Sequence, residues 1–265
     1  MSDEAGAAFE GGELLWSVED GVARLTLNRP ERRNALTMAM YEGVAARCAE
    51  PGEGVRAVVV AGAGGAFAAG TDMSQFRAFE TEEDALGYEQ RMDRVMGAVE
   101  RCPVPTIAAI DGACTGGGAA IAAACDIRLA TARLRFGFPI ARTLGNALSI
   151  ANIARLASLI GPGRVMELVL TARLVGAQEA LAIGLASQVL GDAAALEARV
   201  AELAATLGGH APITMRVTKE ALRRLRTQGA GADDRDLILA AYMSRDFKEG
   251  IEAFLGKRRP EWRDE

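Results

Sequence analysis

Three consecutive glycines, Gly116-Gly117-Gly118, stand between the apolar runs Ile107-Ala108-Ala109-Ile110 and Ala119 to Ala124. The first run has the length and composition of a buried strand, the second those of a short helix with no polar face. Glycine lets a backbone approach a ligand closely, and the first turn of a helix offers unpaired N–H donors at the positive end of the helix dipole. A strand, a tight turn and a buried helix are expected here, in a form able to hold negative charge. In purely structural terms the same residues make a tight strand-to-helix connection.

With 265 residues the chain is long enough for one large domain, or for one domain with an appended helical piece. Hydrophobic residues make up 50% and aromatic residues only 5%, a balance that favours closely packed helices over a thin all-β shell. A helix-rich α/β fold is the expectation. The net charge of −5 argues against a nucleic-acid surface, which needs a basic face; Lys257-Arg258-Arg259 is the local exception.

Cys48, Cys102, Cys114 and Cys125 form no CxxC pair, and Met1 to Gly12 has neither the basic start nor the apolar run of a secretory leader. Free thiols and a cytoplasmic location are expected. No stretch approaches the roughly 20 continuous apolar residues of a membrane span. His210 is the single histidine and no GxSxG elbow accompanies it, so a Ser-His-Asp relay and most metal chemistry fall away. Gly62-Ala63-Gly64-Gly65-Ala66-Phe67 lacks the last glycine of GxGxxG, and Gly256-Lys257 lacks the hydroxyl residue of a P-loop.

Leu14 to Val18 and Val22 to Leu27 alternate around Glu19-Asp20-Gly21 and predict a hairpin. Thr37 is placed to cap a helix through Cys48, and Val55 to Ala61 predicts a buried strand. Between Thr81 and Arg101 a long helix is expected, with Leu86, Met92, Val95, Met96 and Val99 as its apolar stripe and Cys102-Pro103 as its stop. Strands follow at Thr106 to Ile110, Asp126 to Ala130 and Leu134 to Phe138. Beyond Asn146 the pattern is helical, at about 147–160, 163–171, 177–183, 193–207, 213–226 and 233–254, with glycines between the runs.

Taken in order, these segments resemble the enoyl-CoA hydratase/isomerase, or crotonase, superfamily over nearly the whole chain. The resemblance is carried by Leu25-Thr26-Leu27-Asn28-Arg29-Pro30, Asn34-Ala35-Leu36, Gly65 to Met73, Asp111-Gly112 with the three glycines, Cys125-Asp126, Phe136-Gly137, and Ala253 to Pro260. It implies an α/β fold with a spiral core of ββα units over residues 1–200 and a C-terminal helical trimerisation region over 201–265. It further implies an acyl-CoA thioester as substrate, a homotrimer or dimer of trimers, and no cofactor or metal beyond the coenzyme A of the substrate itself.

By the same resemblance, the backbone amides of Thr71 and Gly117 are the two donors that meet an enolate oxygen. Arg33, Ala35, Ala69, Asp72, Met73, Gly116 and Ile140 are implied substrate contacts, and Phe254 and Lys257 approach the coenzyme A of a neighbouring subunit. Asp72 and Asp126 are expected mainly as structural carboxylates. Hydratases of this type carry one glutamate after the glycine turn and another after a proline. Here those positions hold Ala120 and Ile140.

Hydration needs a base to activate water and an acid to protonate the α-carbon, and neither alanine nor isoleucine supplies them. Weak or absent hydratase activity is therefore expected. Arg142, Asn146 and Ser149 are the nearby polar residues, expected mainly as loop ties and a helix cap; a carboxylate from Gln75 to Asp93, such as Glu89 or Asp93, is the candidate substitute if the reaction is decarboxylation or thioester hydrolysis. A decarboxylase or thioesterase on the same fold, or a non-catalytic acyl-CoA-binding scaffold, remains an alternative reading of these residues.

Overall fold

The computed structural model describes Ala7, Ala8 and residues 12 to 265, so the reading of Met1 to Gly12 as lacking a leader falls almost wholly outside the described residues. In chain order the strands and helices are β1 (Ala7–Ala8), β2 (Leu14–Glu19), β3 (Val22–Leu27), α1 (Met38–Ala49), β4 (Ala57–Gly62), α2 (Glu82–Glu100), β5 (Thr106–Ile110), β6 (Ala113–Thr115), α3 (Gly117–Ala124), β7 (Ile127–Thr131), β8 (Arg135–Gly137) and α4 (Ile140–Thr143). They continue as α5 (Ile150–Ile160), α6 (Pro162–Thr171), β9 (Val175–Gly176), α7 (Ala177–Ala182), β10 (Gln188–Leu190), α8 (Ala193–Gly208), α9 (Pro212–Gln228), α10 (Arg235–Tyr242) and α11 (Arg245–Leu255).

Seven strands form the main sheet in the order β1-β2-β3-β4-β5-β7-β10. The first two pairings are antiparallel and the other four parallel. A smaller sheet joins β6, β8 and β9. Because successive side chains of a strand point to opposite faces, the apolar runs of β4, β5 and β7 serve two cores at once. Val58, Val60, Ala108, Ile110 and Ala130 face the larger core with α1, α2 and α3. Ala57, Val59, Ala61, Ile107, Ala109 and Leu129 face Leu196, Val200 and Ala204 of α8.

Local signals set the helix starts. The Thr37 side chain accepts from the Met40 amide, and Thr81 with Asp84 closes a capping box at the head of α2. Met92, Val95, Met96 and Val99 are buried as expected, but Leu86 is exposed. The helix expected over 233–254 is two helices. Its apolar period runs on across the break, where Ser244 accepts from the Phe247 amide as a new cap and the amides of Arg245 and Asp246 donate to the Glu265 carbonyl.

Two ties fix the segments that surround the glycine turn. Asn34, fully buried, accepts from the Arg29 amide at 2.8 Å and donates to the carbonyls of Ala63 and Ala66 at 2.9 and 2.7 Å. Arg128 lies buried beneath α3 and donates to the carbonyls of Leu185 at 2.7 Å and Cys125 at 2.5 Å. Its positive charge sits where α3 ends, the favourable end of the helix dipole.

Candidate active site

The glycine turn closes one end of a cavity of about 390 Å³. Gly116 adopts φ 52° and ψ −119°, a conformation open to glycine, and turns β6 into α3. Gly117 is the first residue of α3, and a Cβ there would lie 1.7 Å from the Tyr41 hydroxyl. Only glycine fits between α3 and α1. Facing the turn, Leu36 runs beside Gly70 to Asp72: the Leu36 amide donates to Gly70, and the Asp72 amide donates back to Leu36. This pairing leaves Thr71 between two bonded residues. Among the described residues, the amides of Thr71 and Gly117 have no acceptor, and both residues line the cavity.

The Thr71 side chain is held from two directions. Its hydroxyl lies 2.8 Å from the Tyr41 hydroxyl and 3.0 Å from that of Tyr88. Tyr41 comes from α1 and is fully buried, and burial pushes its phenol well above the ordinary value. Tyr88 comes from α2, and its ring packs edge-on against Phe76 and Phe79 at centroid distances of 5.0 and 5.8 Å. Three hydroxyls therefore pin the loop that carries the Thr71 amide.

Much of the cavity lining is apolar. Ala120 and Ile140 both line it, with Met92, Met96, Phe138 and Leu148. Of the polar residues from the following loop, Asn146 also faces the cavity. Ser149 caps α5 and donates to Asp93 at 2.6 Å, and neither residue lines the cavity. Glu89 lines the cavity, and burial together with the neighbouring Asp93 carboxylate raises its pKa.

Ala69, Thr71, Met73, Gly116, Gly117 and Ile140 thus meet in one space. Arg33 and Ala35 lie alongside: the Arg33 carbonyl accepts from the Ala69 amide, and the Ala35 carbonyl accepts from Arg29 at 2.7 Å. Asp72 is engaged elsewhere. Hydrogen bonds from the Ser74 hydroxyl and amide, with Arg29 beyond them, hold its carboxyl down to about 2. Asp126 accepts from the Thr106 amide and hydroxyl and pairs with Lys219. Phe254, largely exposed, lines a separate groove on the C-terminal helices, and neither it nor Lys257 reaches the cavity within the chain.

Tyr41 and Tyr88 are the site residues that sequence reasoning missed. Tyr88 stands four and eight positions before Met92 and Met96, so the helical period was the available signal. For Tyr41 no local signal existed, since its partner Thr71 is 30 residues away.

A two-core α/β fold with a glycine turn and two main-chain amides without acceptors beside one largely apolar cavity makes up the candidate site. The chain belongs to the enoyl-CoA hydratase/isomerase family, whose model matches residues 17–265. A putative enoyl-CoA hydratase of Thermus thermophilus is 38% identical over 255 residues, covering 92% of this chain and 98% of its own. A probable enoyl-CoA hydratase of Bacillus subtilis is 33% identical, covering 94% and 98%. The crystal structure of an enoyl-CoA hydratase/carnithine racemase from Magnetospirillum magneticum superposes with a TM-score of 0.88 at 32% identity over 96% of each chain. The protein is an acyl-CoA-processing enzyme of this family.

Proposed function

We propose that the enzyme stabilises the enolate of an acyl-CoA thioester between the amides of Thr71 and Gly117, and that it hydrates enoyl thioesters slowly or not at all. The observation that carries this reading is the contrast across one cavity. Two N–H groups without acceptors belong to residues that line it, and Ala120 and Ile140, the positions at which the resemblance implies the acid and base of hydration, line it too. Preorganised donors of this kind are each worth roughly 2.7–4 kcal/mol to a developing oxyanion. Missing acid and base groups each cost about 10²–10⁴-fold in rate.

Coenzyme A would run past Arg33, Ala35, Ala69, Asp72 and Met73. Phe254 and Lys257 of a neighbouring copy would complete its site in a cytoplasmic homotrimer or dimer of trimers, with residues 201–265 as the oligomerisation region. The exposed apolar side chains of α9 to α11 support that assembly. Among the described residues no helix is long and apolar enough to cross a membrane.

The test is a crotonyl-CoA hydration assay on the purified enzyme and on the double variant Ala120→Glu, Ile140→Glu. We expect a rate at least about 100-fold below that of a glutamate-bearing relative, and a measurable gain in the double variant. Hydration by the unaltered enzyme at a relative's rate overturns the reading.

A further inference from the structure

Asn152 is the buried one among the described polar residues that line the cavity, with 6% of its surface exposed. It stands in the first turn of α5, where its main-chain amide donates to the Ser149 hydroxyl at 3.3 Å. Its side-chain oxygen accepts from Arg155 Nη1 at 3.0 Å. A guanidinium only donates, so the oxygen of the carboxamide must face Arg155 and the nitrogen must point away from it. Arg155 is itself buried and held: Nη2 donates to Glu100 at 3.0 Å, and Glu100 accepts in turn from Arg226 of α9. The Asn152 side-chain nitrogen, Nδ2, donates to no described residue. It is not sealed from solvent either, and the open space that Asn152 adjoins is the cavity.

The ties between α5 and α2 place this donor along the cavity. Tyr88, Met92 and Met96 follow one another at the four-residue spacing that makes a row on a helix, and all three line the cavity. At 1.5 Å per residue, the cavity follows α2 for about 12 Å. Tyr88 marks the end near the Thr71 amide, since its hydroxyl meets the Thr71 side chain at 3.0 Å. Ser149 bonds α5 to Asp93 of α2, and Arg155 bonds it to Glu100. Asn152 lies midway between Ser149 and Arg155, so its level on α2 falls between Asp93 and Glu100, at the Met96 end.

We propose that the Asn152 carboxamide is a specificity-determining donor, and that the enzyme takes acyl-CoA thioesters whose chain carries an uncharged acceptor oxygen, a carbonyl or hydroxyl, well beyond the thioester. The proposal rests on the acyl-CoA reading above. A plain hydrocarbon chain that fills the Met96 end shuts Nδ2 off from water and gives it no acceptor, which costs binding free energy. A chain oxygen at that depth restores the bond. Sites built to hydrogen-bond a ligand group reject the analogue that lacks it, whereas an apolar pocket discriminates weakly between the two. The largely apolar lining disfavours a carboxylate there, and Glu89 in the same cavity adds a negative charge against one. Arg155 is the positioning residue, because it turns the nitrogen of Asn152 rather than the oxygen toward the ligand.

The experiment uses the full chain and calorimetric titration with pairs of saturated thioesters: hexanoyl- and 5-oxohexanoyl-CoA, octanoyl- and 7-oxooctanoyl-CoA, decanoyl- and 9-oxodecanoyl-CoA. A ketone accepts and cannot donate, so each pair isolates the contribution of a donor in the protein. The unaltered enzyme is expected to bind the ketone at least about fivefold more tightly than the hydrocarbon at one or more of these lengths. Asn152→Leu removes the donor and should abolish that preference. Asn152→Asp, the second variant if Asn152→Leu fails to fold, keeps an oxygen for Arg155 and offers the ligand an acceptor instead of a donor, so the preference should reverse. A preference below about fivefold at all three lengths in the unaltered enzyme overturns the assignment, and so does a folded variant that keeps the preference. Failure to bind any CoA thioester overturns instead the acyl-CoA reading on which it rests.

Discussion

Gly117 leaves no room for a methyl group, because a Cβ there would sit 1.7 Å from the Tyr41 hydroxyl and 2.9 Å from the carbon that bears it. Gly117→Ala should therefore destabilise the fold severely. Removing that hydroxyl with Tyr41→Phe relieves the worse of the two overlaps. Thermal unfolding of the two single variants and the double should show a destabilisation smaller than the sum of the singles. Glu89 permits a second stability test. Its pKa is raised above the ordinary value of 4.5, so its ionisation disfavours the folded state once the pH passes that value. Glu89→Gln should raise the melting temperature near neutral pH, and the gain should vanish as the pH falls below the ordinary glutamate range. A lower melting temperature at neutral pH would contradict this. That Thr71, Gly116, Gly117 and Ala120 line one cavity was anticipated, the glycine turn from its local chemistry and Thr71 and Ala120 from the family resemblance. The hydroxyls around Thr71 were not, because they come from α1 and α2 and meet only in the folded chain.

At the level of elements, α3 depends on Arg128. Buried from solvent, it donates to carbonyls at the end of α3 and ahead of β10. Arg128→Met keeps an unbranched apolar stem and loses these bonds, leaving at least two buried carbonyls unsatisfied at roughly 1–3 kcal/mol each. The denaturation midpoint should fall by an amount equivalent to about 2–6 kcal/mol, and a change under about 1 kcal/mol would mean that the carbonyls find other partners. The strands and most helices were legible from period and caps, as Thr37 and Thr81 demonstrate. Period alone hid the break between α10 and α11, since both helices keep the same apolar rhythm and the cap at Ser244 was the only mark. It also misassigned Leu86, which lies near the start of α2 and faces solvent although it fits the stripe. The short strands β6, β9 and β10 escaped notice because two or three residues cannot establish a period.

Across the whole molecule, the C-terminal helices expose an unusual amount of apolar side chain. Leu222 and Leu225 on α9, Tyr242 on α10 and Phe254 and Leu255 on α11 are all exposed, and Phe247, Ile251 and Phe254 share one groove. Surfaces of this kind mark association sites. Light scattering at micromolar concentration should give a mass that is a multiple of three chains, and Ile251→Asp combined with Phe254→Asp should reduce it; an unaltered protein with the mass of one chain would refute the assembly. A different consequence follows from the pairing of Leu36 with Gly70 and Asp72, which leaves the Thr71 amide free, and from the turn at Gly116, which leaves that of Gly117 free. A main-chain amide has no codon of its own. Substitution can rewrite what residues 89, 120 and 140 present to the cavity while those two N–H groups stay in position. Descendants of such a chain can trade one reaction for another and still accept the same kind of ligand.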